Sequence, residues 1–127
     1  MDKTLLDFDT DQLRQACKVA YRILECWDCT LKEQNIILGG TIESDSPIAY
    51  EANLDHNEHI IRISCILTIH AGLRSLFDNS ENVYGFMSLK NNNPPFLGKS
   101  PLEVITTGGV LELQSVALHI QQLGLNQ

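Results

Sequence analysis

The hydrophobic residues of this chain recur mostly at intervals of three and four, which is the spacing of one face of an α-helix. The pattern is longest in two segments, 11–27 and 57–77. In the second segment the apolar positions cover more than one face, so we expect a central, well-buried helix there. The apolar positions of the first segment are Leu13, Ala16, Cys17, Ala20, Ile23, Leu24 and Trp27. The pattern predicts an all-α protein.

Short-range hydrogen-bonding signals predict where two further helices begin. Thr30 precedes Glu33 by three residues, and Ser100 precedes Glu103 by three. In such a capping box, the hydroxyl accepts from the backbone of the third helical residue, and the carboxylate accepts from the backbone of the cap. Pro101 would occupy a first helical position, where its missing N–H has no consequence. We therefore expect short helices after Thr30 and after Ser100.

The chain is predicted to form two helical units that are joined rather than separated, 1–54 and 55–127. Two glycine pairs, Gly39-Gly40 and Gly108-Gly109, are typical of helix ends. The remaining predicted helices span 47–53, 80–89 and 110–123, the last of them closed by Gly124.

Size and composition indicate a folded chain. It has 127 residues, of which 43% are hydrophobic, enough for one domain or two small units with a packed core. Apolar stretches are too short and too interrupted for a membrane-spanning helix. The first ten residues carry four charges and no apolar segment, so no secretory signal is visible. These features predict a cytoplasmic protein without a membrane segment.

The net charge of −7 is unevenly distributed. Residues 1–60 hold 12 of the 16 acidic residues but only five of the nine basic ones, and 61–127 is balanced. The N-terminal half therefore repels nucleic-acid phosphates on average.

Two short motifs raise the question of a zinc site, Cys26-Trp27-Asp28-Cys29 and His56-Asn57-Glu58-His59. Only two residues separate the histidines, fewer than in a typical zinc finger, and no second cysteine pair is present. The cysteines follow a helix, whereas a reactive thiolate is favoured at a helix N-terminus. Buried or incidental thiols are the favoured interpretation, and we predict no metal and no cofactor.

No catalytic arrangement is evident. His70 and His119 lie within apolar helices and are best interpreted as packing residues, since no nucleophile is placed beside either by local spacing. Facing carboxylate pairs and a glycine-rich phosphate cradle are also missing from the sequence. We therefore predict that the chain is not an enzyme and has no catalytic residues.

The stretch that precedes Ser100, from Asn93 to Lys99, is the most informative part of the chain: Asn-Pro-Pro-Phe-Leu-Gly-Lys. Two interpretations remain open. The loop connects helices and Phe96 packs into the core, or its stiffness presents a preorganised surface, which lowers the ordering cost of association.

The loop resembles the toxin-binding domain of the Xre/MbcA/ParS antitoxins, whose pattern runs Asn-Pro, an apolar residue, Gly, Ser or Thr, Pro, Leu and an acidic residue. The matching positions are Asn93, Pro94, Phe96, Gly98, Ser100, Pro101 and Leu102. The aromatic pair of Tyr84-Gly85-Phe86, in a short helix before the loop, is also similar. Leu97 departs from the pattern, because members often have a first glycine there.

The N-terminal half is similar to the helix-turn-helix unit of many members, through Trp27, Leu31, Glu33, Gln34, Leu38 and Gly39. In such proteins a recognition helix follows at once. Here 40–53 contains three acidic residues and neither Lys nor Arg, so side chains that read guanine edges or neutralise phosphates are missing. The expected architecture is a degenerate helix-turn-helix unit packed on a helical toxin-binding unit, with DNA binding weakened or lost.

The resemblance implies an antitoxin of a type II toxin–antitoxin pair, which binds and sterically blocks a RES-type toxin that degrades NAD. It also implies a homodimer. The implied partner-binding residues are Asn93, Pro94, Phe96, Gly98, Lys99, Leu123 and Leu125.

Two alternatives from other classes stay open. One is a DNA-binding autorepressor, whose dimer would contact phosphates through Arg14, Lys18, Arg22 and Lys32. The other is a stand-alone interaction module without a toxin.

Overall fold

The computed structural model describes residues 10–39 and 56–125 of the chain. Regular structure there is helical, which confirms the all-α prediction. The helices are α1 (Thr10–Cys26), α2 (Leu31–Leu38), α3 (His56–Leu76), α4 (Ser80–Gly85), α5 (Pro101–Thr107) and α6 (Val110–Leu125). A 3-10 helix, Phe86–Ser88, follows α4 directly. In these ranges no helix is both long and apolar enough to cross a membrane.

Both predicted capping boxes are present. The Thr30 hydroxyl accepts from the Glu33 backbone N–H at 3.1 Å, and the Glu33 carboxylate accepts from the Thr30 N–H at 2.8 Å. Ser100 and Glu103 make the same pair of bonds, at 3.1 and 3.2 Å. Helix α2 ends at Gly39, whose φ of 86° is the left-handed conformation that glycine adopts without strain. These helix ends are thus determined by residues a few positions apart.

Other predicted boundaries differ. The predicted helix 47–53 lies outside the described residues. The predicted helix 80–89 is split into α4 and the 3-10 helix. Gly124 does not close the last helix, since α6 continues to Leu125.

Gly124 lies inside α6 because it packs closely against α3. A Cβ atom at 124 would lie 3.2 Å from the Gly72 carbonyl oxygen, and a Cβ atom at 72 would lie 2.8 Å from Ile120 Cγ2. The missing side chains let the two helices approach each other's backbones. Gly124 therefore contributes to tertiary packing and does not terminate the helix.

Helix α3 is the centre of the fold. It makes its most extensive contact with α6, and it also packs on α1, α2 and α4. Side chains from the N-terminal helices join the same hydrophobic cluster as those from α3 to α6. The largest fully buried side chains are Trp27, Phe96, Leu24, Ile37, Leu38, Ile63, Ile66, Ile69, Leu73, Met87, Ile105 and Leu113. The predicted units 1–54 and 55–127 thus share one core across the described residues.

Arg62 ties α3 to the end of α2. Its Nη1 atom donates to the carbonyl oxygen of Ile37 at 3.0 Å, one of the carbonyls left unpaired at a helix C-terminus. Its Nη2 atom lies 3.8 Å from the Glu58 carboxylate. A cation at this helix end also interacts favourably with the helix dipole.

Replacing Gly72 by alanine is expected to destabilise the protein, although alanine is the better helix former. The new Cβ would also lie 3.1 Å from the Ile120 carbonyl oxygen, so backbone as well as side-chain atoms must move. Overpacking of this kind costs about 1–3 kcal/mol, more than the roughly 1 kcal/mol gained in helix propensity. Urea denaturation monitored by circular dichroism measures the difference.

Gly85→Ala is the matched control, because nothing lies within 4 Å of a Cβ atom built at that position. The control should be neutral or stabilising by about 0.4–1 kcal/mol. Equal free energies of unfolding for the two variants would contradict the close crossing of α3 and α6.

Candidate partner-binding surface

The loop between the 3-10 helix and α5 is closed by its own backbone. The Asn91 N–H donates to the Lys99 carbonyl oxygen at 3.0 Å, and the Gly98 N–H donates to the Asn91 carbonyl oxygen at 2.7 Å. The Lys99 N–H donates to the Phe96 carbonyl oxygen at 3.1 Å. These bonds hold the two ends of the loop together, so its conformation is set before any partner arrives.

Asn93 forms the turn at the tip of this loop. Its carbonyl oxygen accepts from the N–H groups of Phe96, at 2.8 Å, and Leu97, at 3.2 Å. Its own N–H donates to the side-chain oxygen of Asn91 at 2.9 Å. The Pro94–Pro95 peptide bond within the turn is cis. Asn93 and Pro94 are both exposed.

Phe96 anchors the loop to the helices. Its side chain is only 1% exposed. The ring meets His119 of α6 edge-on, with centroids 5.3 Å apart, and it meets Phe86 edge-on at 6.4 Å. This is the arrangement of the interpretation in which Phe96 packs into the core. Phe96, implied as a partner-binding residue by the resemblance, is therefore an anchor of the loop and not part of its outer surface.

Leu97 points the other way. It is 72% exposed and its backbone is left-handed, with φ of 53°, beside Gly98 at 91°. A left-handed conformation costs a residue with a Cβ atom roughly 1–2 kcal/mol. An exposed leucine gains no burial energy that would offset this strain. The loop therefore holds an apolar side chain in solvent at a cost to the stability of the fold. Leu97 was not among the predicted site residues, although the sequence has this bulky residue where the pattern that the loop resembles often has glycine.

The structure separates the remaining predicted residues into two groups. Lys99 is exposed and Gly98 is half-buried, both on the loop. Leu123 and Leu125 are 37% and 78% exposed and lie in the last turn of α6. The loop borders the first turn of that helix, where Pro95 and Leu111 line one small cleft. Through Phe96 and His119 the loop also contacts the second half of α6, one turn before Leu123.

The outer face of α6 carries further exposed apolar residues, Leu111 and Leu118, at 72% and 55% exposure. Together with Leu125 they are spaced seven residues apart, and we call the three the leucine stripe. The seven-residue spacing is visible in the sequence. It does not show which face of α6 is buried, because this helix has apolar residues on several sides.

The side chains of the cysteine and histidine motifs lie in different surroundings. Cys26 is exposed, whereas Cys29 is buried. Burial raises the pKa of the Cys29 thiol to about 12, with a further contribution from Glu33 and Asp28. In the ranges 10–39 and 56–125, no group of three or more His, Cys, Asp or Glu side chains is placed to hold a metal ion.

His59, from the second motif, is buried with its Nε2 atom 3.9 Å from the Cys17 Sγ atom. Burial also raises the pKa of Cys17 to about 12, so this thiol stays protonated at neutral pH. The pair is a packed polar contact in the core and lacks the thiolate that nucleophilic chemistry needs.

His70 lies beside a polar hollow of about 490 Å³, which Arg74 and Tyr84 also line. Its ring stacks on that of Tyr84, with centroids 6.1 Å apart. Burial, and then the Arg74 charge, lower the pKa of His70. The imidazole is thereby kept neutral in a packing role.

Comparison of the chain with protein-family models, curated proteins and solved structures finds no match. The geometry of the loop and of α6, together with the loop resemblance, therefore carries the functional proposal.

Thiol reactivity should follow the burial pattern. With the thiol reagent DTNB at mildly alkaline pH, Cys26 should react at once, because it alone of the four cysteines is exposed. Cys17, Cys29 and Cys65 should react only as fast as local unfolding exposes them. Cys26→Ser should remove the fast phase entirely. Two fast thiols per folded chain would contradict the buried position of Cys29.

Leu97→Gly should stabilise the fold relative to the same change at Leu89. Leu89 is similarly exposed, at 65%, but has an ordinary extended backbone with φ of −89°. Glycine relieves about 1–2 kcal/mol of strain at 97 and loses roughly 0.5–1 kcal/mol to chain entropy at either site. The free energies of unfolding of the two variants should therefore differ by about 1–2 kcal/mol. Equal values would show that position 97 is unstrained.

Proposed function

We propose that the chain is the antitoxin of a type II toxin–antitoxin pair and that it binds and blocks a RES-type toxin that degrades NAD. The proposal rests on the loop resemblance and on one structural observation. Leu97 is held outward, in a strained conformation, on a loop that is closed by internal hydrogen bonds. Strain that adds nothing to the fold is characteristic of binding and catalytic surfaces.

The binding role is supported by how little the loop would have to reorganise on binding. The hydrogen bonds of Asn91 and the buried ring of Phe96 already fix its conformation, so little ordering remains when a partner arrives. Its outward side chains, Pro94, Leu97 and Lys99, offer an apolar contact flanked by one cation. Protein interfaces commonly have an apolar centre inside a polar rim, and this arrangement has the same character.

Inhibition by such a surface is steric and needs no chemistry from the chain. A bound loop that covers the entrance of the toxin's active site would exclude NAD. The neutral His70 and the protonated Cys17 thiol do not enter this mechanism, since both are packing groups of the helical body.

A second candidate, a DNA-binding autorepressor, is favoured by one feature of α1. Arg14, Lys18 and Arg22 are spaced four residues apart and so share a side of that helix. Arg14 is already engaged, with Asp11 at 3.7 Å. For this function we expect the chain to shift the mobility of promoter DNA, with binding that weakens steeply as salt is raised. No binding at low salt would contradict this candidate.

Co-expression with the protein encoded by the adjacent open reading frame tests the antitoxin proposal. We expect the tagged chain to copurify with that protein and to preserve cellular NAD and growth. Leu97→Asp should abolish both effects, because a desolvated carboxylate replaces the apolar anchor. Leu31→Asp is the matched control, since Leu31 is 64% exposed and belongs to α2 rather than to the loop, and it should leave both effects intact.

Loss of NAD protection in the Leu97 variant alone would establish the loop as the contact surface. If the wild-type chain neither copurifies with that protein nor preserves NAD, the antitoxin proposal fails. If both variants protect equally, the loop is not the surface that binds.

A further inference from the structure

We propose that the polar hollow between α3 and α4 binds a small zwitterion, a free amino acid with an uncharged polar side chain. Arg74 would hold the carboxylate of this ligand, and Asp78 would hold its ammonium group. None of the residues that line the hollow belongs to the loop 91–99 or to α6. Binding is measured on the chain alone, so the proposal stands independently of the antitoxin function.

The size and position of the hollow suit a small molecule. Its volume of about 490 Å³ lies within the range of roughly 300–1,000 Å³ that is typical of ligand sites. The second half of α3, the turn after it and α4 each contribute lining residues. Val83 of α4 is buried, whereas Arg74, Asp78 and Ser80 are exposed. The charged groups therefore lie at the mouth of the hollow, where an entering ligand meets them first.

Two opposite charges line this hollow without neutralising each other. Arg74 and Asp78 are four residues apart, yet neither forms an ion pair with the other or with any other residue in the described ranges. Helix α3 ends at Leu76, so Asp78 is no longer held on the helix face that carries Arg74. A cation that precedes an acidic residue at this spacing is also the weaker order for pairing. Both charges thus remain available to a ligand.

The other titratable groups that line the hollow are uncharged at neutral pH. Burial, followed by the Arg74 charge, lowers the pKa of the His70 imidazole, which therefore stays neutral. A hydrogen bond with Cys26 is the main cause that raises the pKa of the Tyr84 phenol, which therefore stays protonated. The lining thus presents one cation and one anion.

This pair of charges selects the class of ligand. A simple anion that is attracted by Arg74 is repelled by Asp78, and a simple cation meets the reverse situation. A molecule that carries both groups a few bonds apart gains from both contacts, while the two other classes are disfavoured by a like charge. Because both side chains are exposed, solvent weakens each contact. We therefore expect weak binding that depends on both charges.

The uncharged polar groups indicate the rest of the ligand. The Nδ1 atom of His70 is enclosed and has no hydrogen-bond partner among the residues that the structure describes. A buried N–H without an acceptor is costly, so the neutral ring is favoured with its proton on Nε2, as a donor. The Ser80 hydroxyl and the Tyr84 phenol also line the hollow. A carboxamide, which both accepts and donates hydrogen bonds, complements these groups.

Nuclear magnetic resonance titration of the ¹⁵N-labelled full chain tests the proposal, with L-glutamine as the probe. We expect saturable shifts of the backbone amides of residues 77–84 at millimolar ligand, while those of α2 and α6 stay unchanged. Glutaramic acid is the same molecule without its ammonium group, and 4-aminobutanamide is the same molecule without its carboxylate. Each should bind about fivefold or more weakly than L-glutamine, because it satisfies one charge and is repelled by the other.

Two substitutions separate the contributions of the charges. Arg74→Gln and Asp78→Asn should each weaken the binding of L-glutamine by about fivefold or more. Asp78→Asn should also bind glutaramic acid more tightly than the wild type does, because the repulsion of its carboxylate is removed. Lys90→Gln and Glu81→Gln are the matched controls, since both residues are exposed and neither lines the hollow. The controls should leave the dissociation constant unchanged, and far-ultraviolet circular dichroism verifies that all four variants are folded.

Three results would overturn the proposal. The first is the absence of saturable shifts at 77–84 with L-glutamine, including shifts that spread over the whole chain without saturating. The second is binding of glutaramic acid or 4-aminobutanamide as tight as that of L-glutamine, which would assign the hollow to simple anions or simple cations. The third is unchanged binding in both Arg74→Gln and Asp78→Asn. None of these results bears on the copurification of a toxin, so the two proposals fail separately.

Discussion

The close crossing of α3 and α6 organises the molecule. Gly72 and Gly124 let the two helices meet at backbone distance, with a Cβ atom at 72 only 2.8 Å from Ile120 Cγ2. Because the helices are so close, the inward side of α6, including Val116 and Ile120, is fully buried. The rotation of α6 about its own axis is thereby fixed, and its opposite side must face outward. The exposure of the leucine stripe is thus a consequence of how tightly the core side is packed.

A comparable constraint governs the loop before α5. Phe96 and Leu97 are adjacent, and the turn at Asn93 directs one inward and the other outward. The ring of Phe96 reaches His119 on α6, so the loop is anchored to the same helix that the core has already oriented. The loop can hold Leu97 in a left-handed conformation because its neighbours are fixed on both sides.

The features that could be predicted from the sequence are those that depend on nearby residues. The capping boxes at Thr30 and Ser100 need only a partner three positions along, and both are present. The predicted end of α6 is wrong because Gly124 packs against Gly72. The sequence does not reveal this contact, since the two residues are far apart along the chain. The position of Phe96 had two open interpretations for the same reason, since an aromatic residue in a loop does not reveal which helix it will reach.

The residues of the candidate surfaces also differ in whether the sequence or only the structure identifies them. Pro94 and Lys99 were predicted from the loop pattern and are exposed on the loop. Leu97 needed the backbone angle, and Leu111 and Leu118 needed the orientation of α6, before they could be recognised as outward-facing. Surface residues are difficult to infer on an apolar helix because the same leucine pattern serves a core face and a contact face equally well.

The net charge of the chain lies apart from the loop and from α6. The imbalance of −7 is confined to residues 1–60, whereas 61–127, which hold the loop and α6, are neutral overall. Net charge opposes nonspecific association, and its benefit extends to the whole molecule. A neutral region beside an acidic one can therefore expose apolar residues for a specific contact. If the loop binds a partner as proposed, charge within that region would impose a desolvation penalty at the contact, whereas charge in the other half would not.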